Sequence, residues 1–256
     1  MQILLIRSLL SLLVFPATTA LAQTVAPVNL GSVINTEARD AEPTFTPDGL
    51  TMYFNCFDRE GEEGSDICVS HRDGADWSEP TIVWEVSTRE HLEVEPLLSP
   101  DGQQLYIMSN RPGGKGGMDI WVSDLVDGNW TSPRNLDGPI NSAYADHCLY
   151  FAGDEWETAY WTSTRPGGFG GNDIWTSEKI NGVWQEAKNL GPNVNSAASE
   201  HHSLPSPDGN SLYVTSTRQG GFGGEDIFIT TRDSEGSWSE LTNLGAQVNS
   251  AQHDRC

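Results

Sequence analysis

The chain has 256 residues, with 36 acidic against 14 basic side chains and a formal charge of −22 at pH 7. An acidic excess of this size argues against nucleic acid and anionic lipid as partners; it suits cations, cationic partners or plain solubility outside the cytoplasm. Beyond the N-terminus no apolar run approaches the ~20 residues that a membrane-spanning helix needs, so membrane insertion is not expected.

Residues 1–22 have the layout of a secretory signal peptide. Arg7 supplies the positive start, Leu9 to Phe15 an apolar core too short to span a bilayer, and Ala20-Leu21-Ala22 a small-residue cleavage pattern. No cysteine follows at once, so no lipid anchor is expected. The mature chain, residues 23–256, reads as one exported domain, periplasmic or secreted.

From there one unit recurs every 53 to 54 residues. Its copies occupy residues 37–88, 89–142, 143–196 and 197–250. An Asp-Ile step marks each at Asp66, Asp119, Asp173 and Asp226, and a tryptophan follows at Trp77, Trp130, Trp184 and Trp238. In the second copy, runs of strand character fall at 95–99, 105–110, 119–124 and 130–135. Pro100-Asp101-Gly102 and Asp127-Gly128 are tight-turn signals, and the glycines of the loop from Arg111 to Gly117 permit backbone shapes that other residues resist. No segment after residue 22 has a sustained helical period. Four antiparallel strands per copy, repeated in tandem, predict an all-β fold: a β-propeller with four complete blades. Residues 28–36 match the end of a repeat and residues 251–256 its start, so parts of a fifth are expected, split between the termini. An open ring would expose strand edges that invite self-association.

Ser99-Pro-Asp-Gly-Gln-Gln-Leu-Tyr106, Arg111-Pro-Gly-Gly-Lys-Gly-Gly-Met-Asp-Ile-Trp121 and the linker Asn135-Leu136 with Ile140-Asn141-Ser142 together resemble the TolB-type, WD40-like propeller repeat of bacterial envelope proteins. The resemblance covers about residues 28–256. It implies a binding or scaffolding module of the cell envelope, with an envelope protein or a glycan as partner. Two copies depart from the pattern. The first has Asp58-Arg59-Glu60-Gly61 where the others begin Arg-Pro or Arg-Gln, and the third has Gly153-Asp154-Glu155-Trp156 in place of Ser-Pro-Asp-Gly.

Blade topology puts the inter-blade linkers and the Arg-Pro-Gly-Gly loops on one face, where a ligand near the channel would bind. An acid recurs there at Asp40, Asp146, Glu200 and Asp254, with Glu93 at the matching place in the second copy. His91, His147, His201, His202 and His253 fall in the same segments. Because these histidines differ between copies, they escape the argument that a shared residue serves the fold. Adjacent residues of a strand face opposite ways, so His201 and His202 cannot both enter the channel. Asp146, His147, Glu200 and His201 are the candidates for a divalent metal, the one cofactor these residue types would suit. The alternative is that the acids accept backbone hydrogen bonds or pair with Arg111, Arg165 and Arg218, one per blade. Channel carboxylates also admit a glycoside hydrolase, although near-equivalent acids lack the two distinct environments that such chemistry uses. Phe169 and Phe222, at loop tips on this face, are candidates for partner contact. Cys56 and Cys68 fall on adjacent strands of one expected hairpin and could bridge. Cys148 and Cys256 each lie seven residues after a linker asparagine, either of them bonded or free.

Overall fold

The computed structural model describes residues 29–59, 64–136, 138–153 and 156–255. The signal-peptide reading at residues 1–22 and Cys256 lie outside these residues. Among the described residues there is no helix, and the strands form four antiparallel sheets. The first blade holds β1 (Asp40–Phe45), β2 (Thr51–Phe57), β3 (Ser65–Asp73), β4 (Asp76–Trp77) and β5 (Thr81–Ile82). The second holds β6 (Glu93–Leu98), β7 (Gln104–Ser109), β8 (Asp119–Val126), β9 (Asn129–Trp130) and β10 (Arg134–Asn135). The third holds β11 (Asp146–Ala152), β12 (Thr158–Ser163), β13 (Asp173–Ile180), β14 (Val183–Trp184) and β15 (Lys188–Asn189). The fourth holds β16 (Glu200–Pro205), β17 (Ser211–Ser216), β18 (Asp226–Thr231) and β19 (Thr242–Asn243). Together they make a four-bladed β-propeller.

The expected outer strand is broken in the first three blades. In the second, β9 and β10 both pair with β8 across a gap that contains Pro133, which has no N–H for the ladder. The Ser123 hydroxyl bridges the break by donating to the Thr131 carbonyl at 2.5 Å.

Each layer of core lies between two sheets, because the strands carry apolar side chains on both faces. Ile67, Val86, Leu98, Ile107 and Trp121 fill the seam between the first and second blades. Met108, Ile120, Ile140, Leu149 and Trp161 fill the next. Ile174, Val194, Leu212 and Val214 fill the last. The recurring tryptophan locks neighbours together: Trp130 donates to the Tyr53 hydroxyl at 3.2 Å and meets its ring edge-on, and Trp238 meets Tyr160 in the same manner. The middle seam departs from this rule through the irregular third copy. Trp156, at φ 56°, stacks on Phe151 at 4.3 Å and reaches Tyr106, so the turn that lacks Ser-Pro-Asp-Gly supplies aromatic filler instead.

The linkers tie each blade to the next. Asn141 accepts from the Ile120 N–H and donates to the Ile120 carbonyl; Asn195 treats Ile174, and Asn249 treats Ile227, in the same way. Between the first two blades Ser87 takes over, accepting from the Ile67 N–H. The outermost linkers differ. Asn35 is exposed and reaches Asn29, and Val248 is 47% exposed where Ile140 and Val194 are fully buried. Cys56 and Cys68 form a disulfide between β2 and β3, and Cys148 is a buried free thiol.

Candidate functional site: the central channel

The acid that recurs at the start of each inner strand is part of a clamp. Glu93, Asp146 and Glu200 have fully buried side chains and pair with Arg111, Arg165 and Arg218 at 2.9, 2.6 and 3.0 Å. Each arginine also donates to a linker carbonyl: Val86, Ile140 or Val194. Each carboxylate accepts the backbone N–H of a linker residue: Thr88, Ser142 or Ser196. One ion pair thus satisfies a linker that would otherwise bury unpaired peptide groups. The first blade builds the same clamp from a displaced residue. Arg59, one place later than repeat alignment would put it, pairs with Asp40 at 2.9 Å and donates to the Ile34 carbonyl. Burial pushes Asp40 up, but bonds from Thr36 and Arg59 more than offset it and hold its carboxyl below the usual range.

The glycine loops follow a second shared rule. Asp119, Asp173 and Asp226 accept loop N–H groups, among them those of Lys115, Phe169 and Phe222. Gly116, Gly170 and Gly223 press against linker carbonyls so closely that a Cβ would lie 1.8, 2.0 or 2.2 Å from an oxygen. Phe169 and Phe222 stay about half exposed at the loop tips, while Lys115 folds back to donate to the Gly138 carbonyl.

The four residues expected to hold a metal are therefore not brought together. Asp146 and Glu200 turn into their clamps. His201 Nε2 instead lies 3.5 Å from the buried carboxylate of Glu225, which also meets His253 at 3.1 Å and Arg255 at 2.6 Å. His147 faces His201 with ring centres 6.4 Å apart, and its Nδ1 lies 3.2 Å from the Cys148 sulfur. Burial lowers the pKa of both histidines.

The channel itself is reached two residues after each acid. Every inner strand slips its register there, between Ala41 and Thr44, Val94 and Leu97, His147 and Tyr150, and Glu200 and Ser203. Glu42, Glu95 and Cys148 adopt left-handed φ of 56°, 53° and 53° at this bulge. The slip breaks strict alternation, so the acid keeps to its clamp while the residue two places on turns to the middle. That position holds Glu42, Glu95, Cys148 and His202. Regular strand alternation does not bring these side chains together, because the bulge resets which face each of them takes. The overlaid copies do carry the signal, as one column that is polar or reactive throughout yet never settles on one residue.

A cavity of about 530 Å³ opens at this ring, lined by residues of all four inner strands, including Glu42, Glu95, Tyr150, His202 and Leu204, together with Arg255. The Cys148 N–H and thiol both meet the Glu95 carboxylate, at 2.8 and 3.4 Å. Burial, joined by the charge of Glu42, pushes Glu95 up to about 8. Burial likewise raises Glu42 and puts the Cys148 thiol well above its ordinary value. His202 drops to about 4 through burial and the nearby charge of Arg255, with the Tyr150 hydroxyl 3.3 Å from its Nδ1. The ring thus favours a protonated acid, a thiol and a neutral imidazole.

No family model matches the chain, and no curated protein matches it in sequence. Solved structures do resemble it. TolB from Acinetobacter baumannii superposes with a TM-score of 0.56 at 16% identity, over 83% of this chain and 45% of that one. A putative TolB from Agrobacterium tumefaciens gives 0.52 at 18% identity, over 85% and 66%. An α-L-arabinofuranosidase from Lactobacillus brevis gives 0.51 at 14% identity, over 83% and 74%. The chain thus spans 45% and 66% of the two TolB structures. At these identities the likeness is one of fold, and by fold the chain is a β-propeller with TolB-like neighbours.

Proposed function

We propose that the chain is an exported, non-catalytic binding propeller of the bacterial cell envelope that takes a protein or glycan ligand at the channel and its loop face. One observation carries this reading. The acids that repeat from blade to blade are consumed in clamps and loop caps, while Glu42, Glu95 and His202, at a position that differs between blades, line one cavity. A concave centre lined by polar groups that are not used to stack the blades has the form of a recognition site. Phe169 and Phe222 add apolar contact at the rim. The fold likeness to TolB agrees with an envelope role. Among the described residues no helix is long and apolar enough to cross a membrane.

A second reading, a glycoside hydrolase, gains from the channel pair Glu42 and Glu95, of which Glu95 is held protonated. It fits less well because Cys148 occupies both Glu95 oxygens, which turns the acid away from a sugar leaving group. A panel of envelope glycans and peptides, assayed for binding and for cleavage with wild type and Glu42→Gln, separates the two. Binding without turnover, weakened in the variant, supports the binding module. Turnover that disappears in Glu42→Gln would overturn it.

A further inference from the structure

We propose that Glu95, Cys148 and His202 form a site for a zinc-class divalent metal ion in the channel. This rests on the reading of the channel as a binding site and names a ligand for it. The three side chains come from three different blades, and their ligand atoms all lie within 4.8 Å of one another. No other such group of three occurs among the described residues. Carboxylate oxygen, thiolate sulfur and imidazole nitrogen are the donor types zinc takes, at ~2.0–2.3 Å.

Distance favours a shared ion. The Cys148 sulfur and Glu95 Oε1 are 3.4 Å apart. An oxygen and a sulfur on one tetrahedral zinc lie about 3.6 Å apart, from the bond lengths above. That edge is already in place, and the His202 nitrogen, within 4.8 Å of both, has at most about an ångström to close to complete the face. Around the trio stand groups that would support a metal. The Tyr150 hydroxyl orients the His202 ring, and His147 Nδ1 contacts the sulfur. Glu42 is near enough for its charge to act on both Glu95 and Cys148.

Charge points the same way. Two carboxyl groups and a thiol share one channel, and an inserted cation would balance the negative charge they carry once deprotonated. The ring position provides an independent observation. The clamp acid two residues earlier pairs with an arginine in every blade, whereas this position presents Glu, Glu, Cys and His. Binding would release the protons of Glu95 and Cys148 as both become ligands. Three protein donors leave one tetrahedral position open toward the cavity.

The test uses the full chain, purified without a histidine tag and stripped with chelator, in a Cys256→Ser background so that Cys148 is the sole free thiol. Cobalt(II) serves as a spectroscopic stand-in for zinc. We expect a thiolate-to-cobalt charge-transfer band and tetrahedral visible bands that saturate at one equivalent and vanish on addition of zinc. Glu95→Gln, Cys148→Ser and His202→Gln should each weaken binding at least ~10-fold. Should Cys148→Ser fail to fold, zinc protection of Cys148 from alkylation in the parent gives the same readout. Cobalt spectra without a thiolate band, or an alkylation rate unchanged by zinc, overturn the proposal. Glycan or peptide binding that survives chelator while the cobalt bands are absent would sink the metal and leave the binding module standing.

Discussion

Two positions on every inner strand, two residues apart, behave in opposite ways. At the first, Asp40, Glu93, Asp146 and Glu200 are nearly alike, buried, and bound to an arginine and a linker. At the second stand Glu42, Glu95, Cys148 and His202; Cys148 is buried against Glu95, and the other three line a cavity. In a repeat protein, likeness between copies follows from the need to stack identical units, so the sites free to specialise are those that stacking does not use. The carboxylates that look most functional in the sequence hold the ring together.

Removing one clamp should have the largest effect. Arg165→Ala leaves Asp146 buried without its cation and should cost about 3–5 kcal/mol in denaturant unfolding. Arg59→Ala should cost a similar amount despite its different loop. Glu95→Gln, in the channel, should cost far less. If the channel variant loses as much stability as the clamp variants, the division between the positions fails. For the same reason Asp146→Ala with Glu200→Ala would report on folding rather than on ligand binding.

The first blade sharpens the contrast at smaller scale. Ser109 and Ser216 donate to the clamp acids Glu93 and Glu200, but the matching place in the first blade is Cys56, committed to Cys68. There a covalent link stands where the others have a hydrogen bond. Reduction should lower stability by about 2–4 kcal/mol, measured as a shift in the unfolding midpoint with and without reductant.

The smallest effect is in pH. Glu95 at about 8 sits above its usual 4.5, so its protonated form favours folding; that contribution is complete below pH 4.5 and is lost as pH rises through 8. His202 at about 4 sits below its usual 6.5, so its contribution is complete above pH 6.5 and is lost as pH falls through 4. Between pH 6.5 and 8 the contribution of His202 is constant while that of Glu95 falls. Wild type should therefore lose stability relative to Glu95→Gln over that window, with a slope of at most about 1.4 kcal/mol per pH unit. Parallel curves would show that Glu95 is not buried as described.

Much of the fold was legible because its signals are local. The 53-to-54-residue spacing, the turn residues and the apolar runs specify a four-stranded unit, and such a unit buries its faces only by stacking on copies of itself. The partnership of acids with Arg111, Arg165 and Arg218 was also open to inference, since both members recur once per blade. Arg59 was hidden because its loop differs, and only space shows that a residue displaced by one can reach the same carboxylate. The channel ring was hidden for a related reason. Alternation along a regular strand assigns side chains to faces, but a bulge at the third residue of each inner strand resets that assignment. The pattern of four strands per 53-to-54-residue unit is written in the sequence. The tertiary structure alone decided which side chain of each blade meets the others at the centre, because that depends on where the backbone slips by a residue and on three separate blades converging on one point.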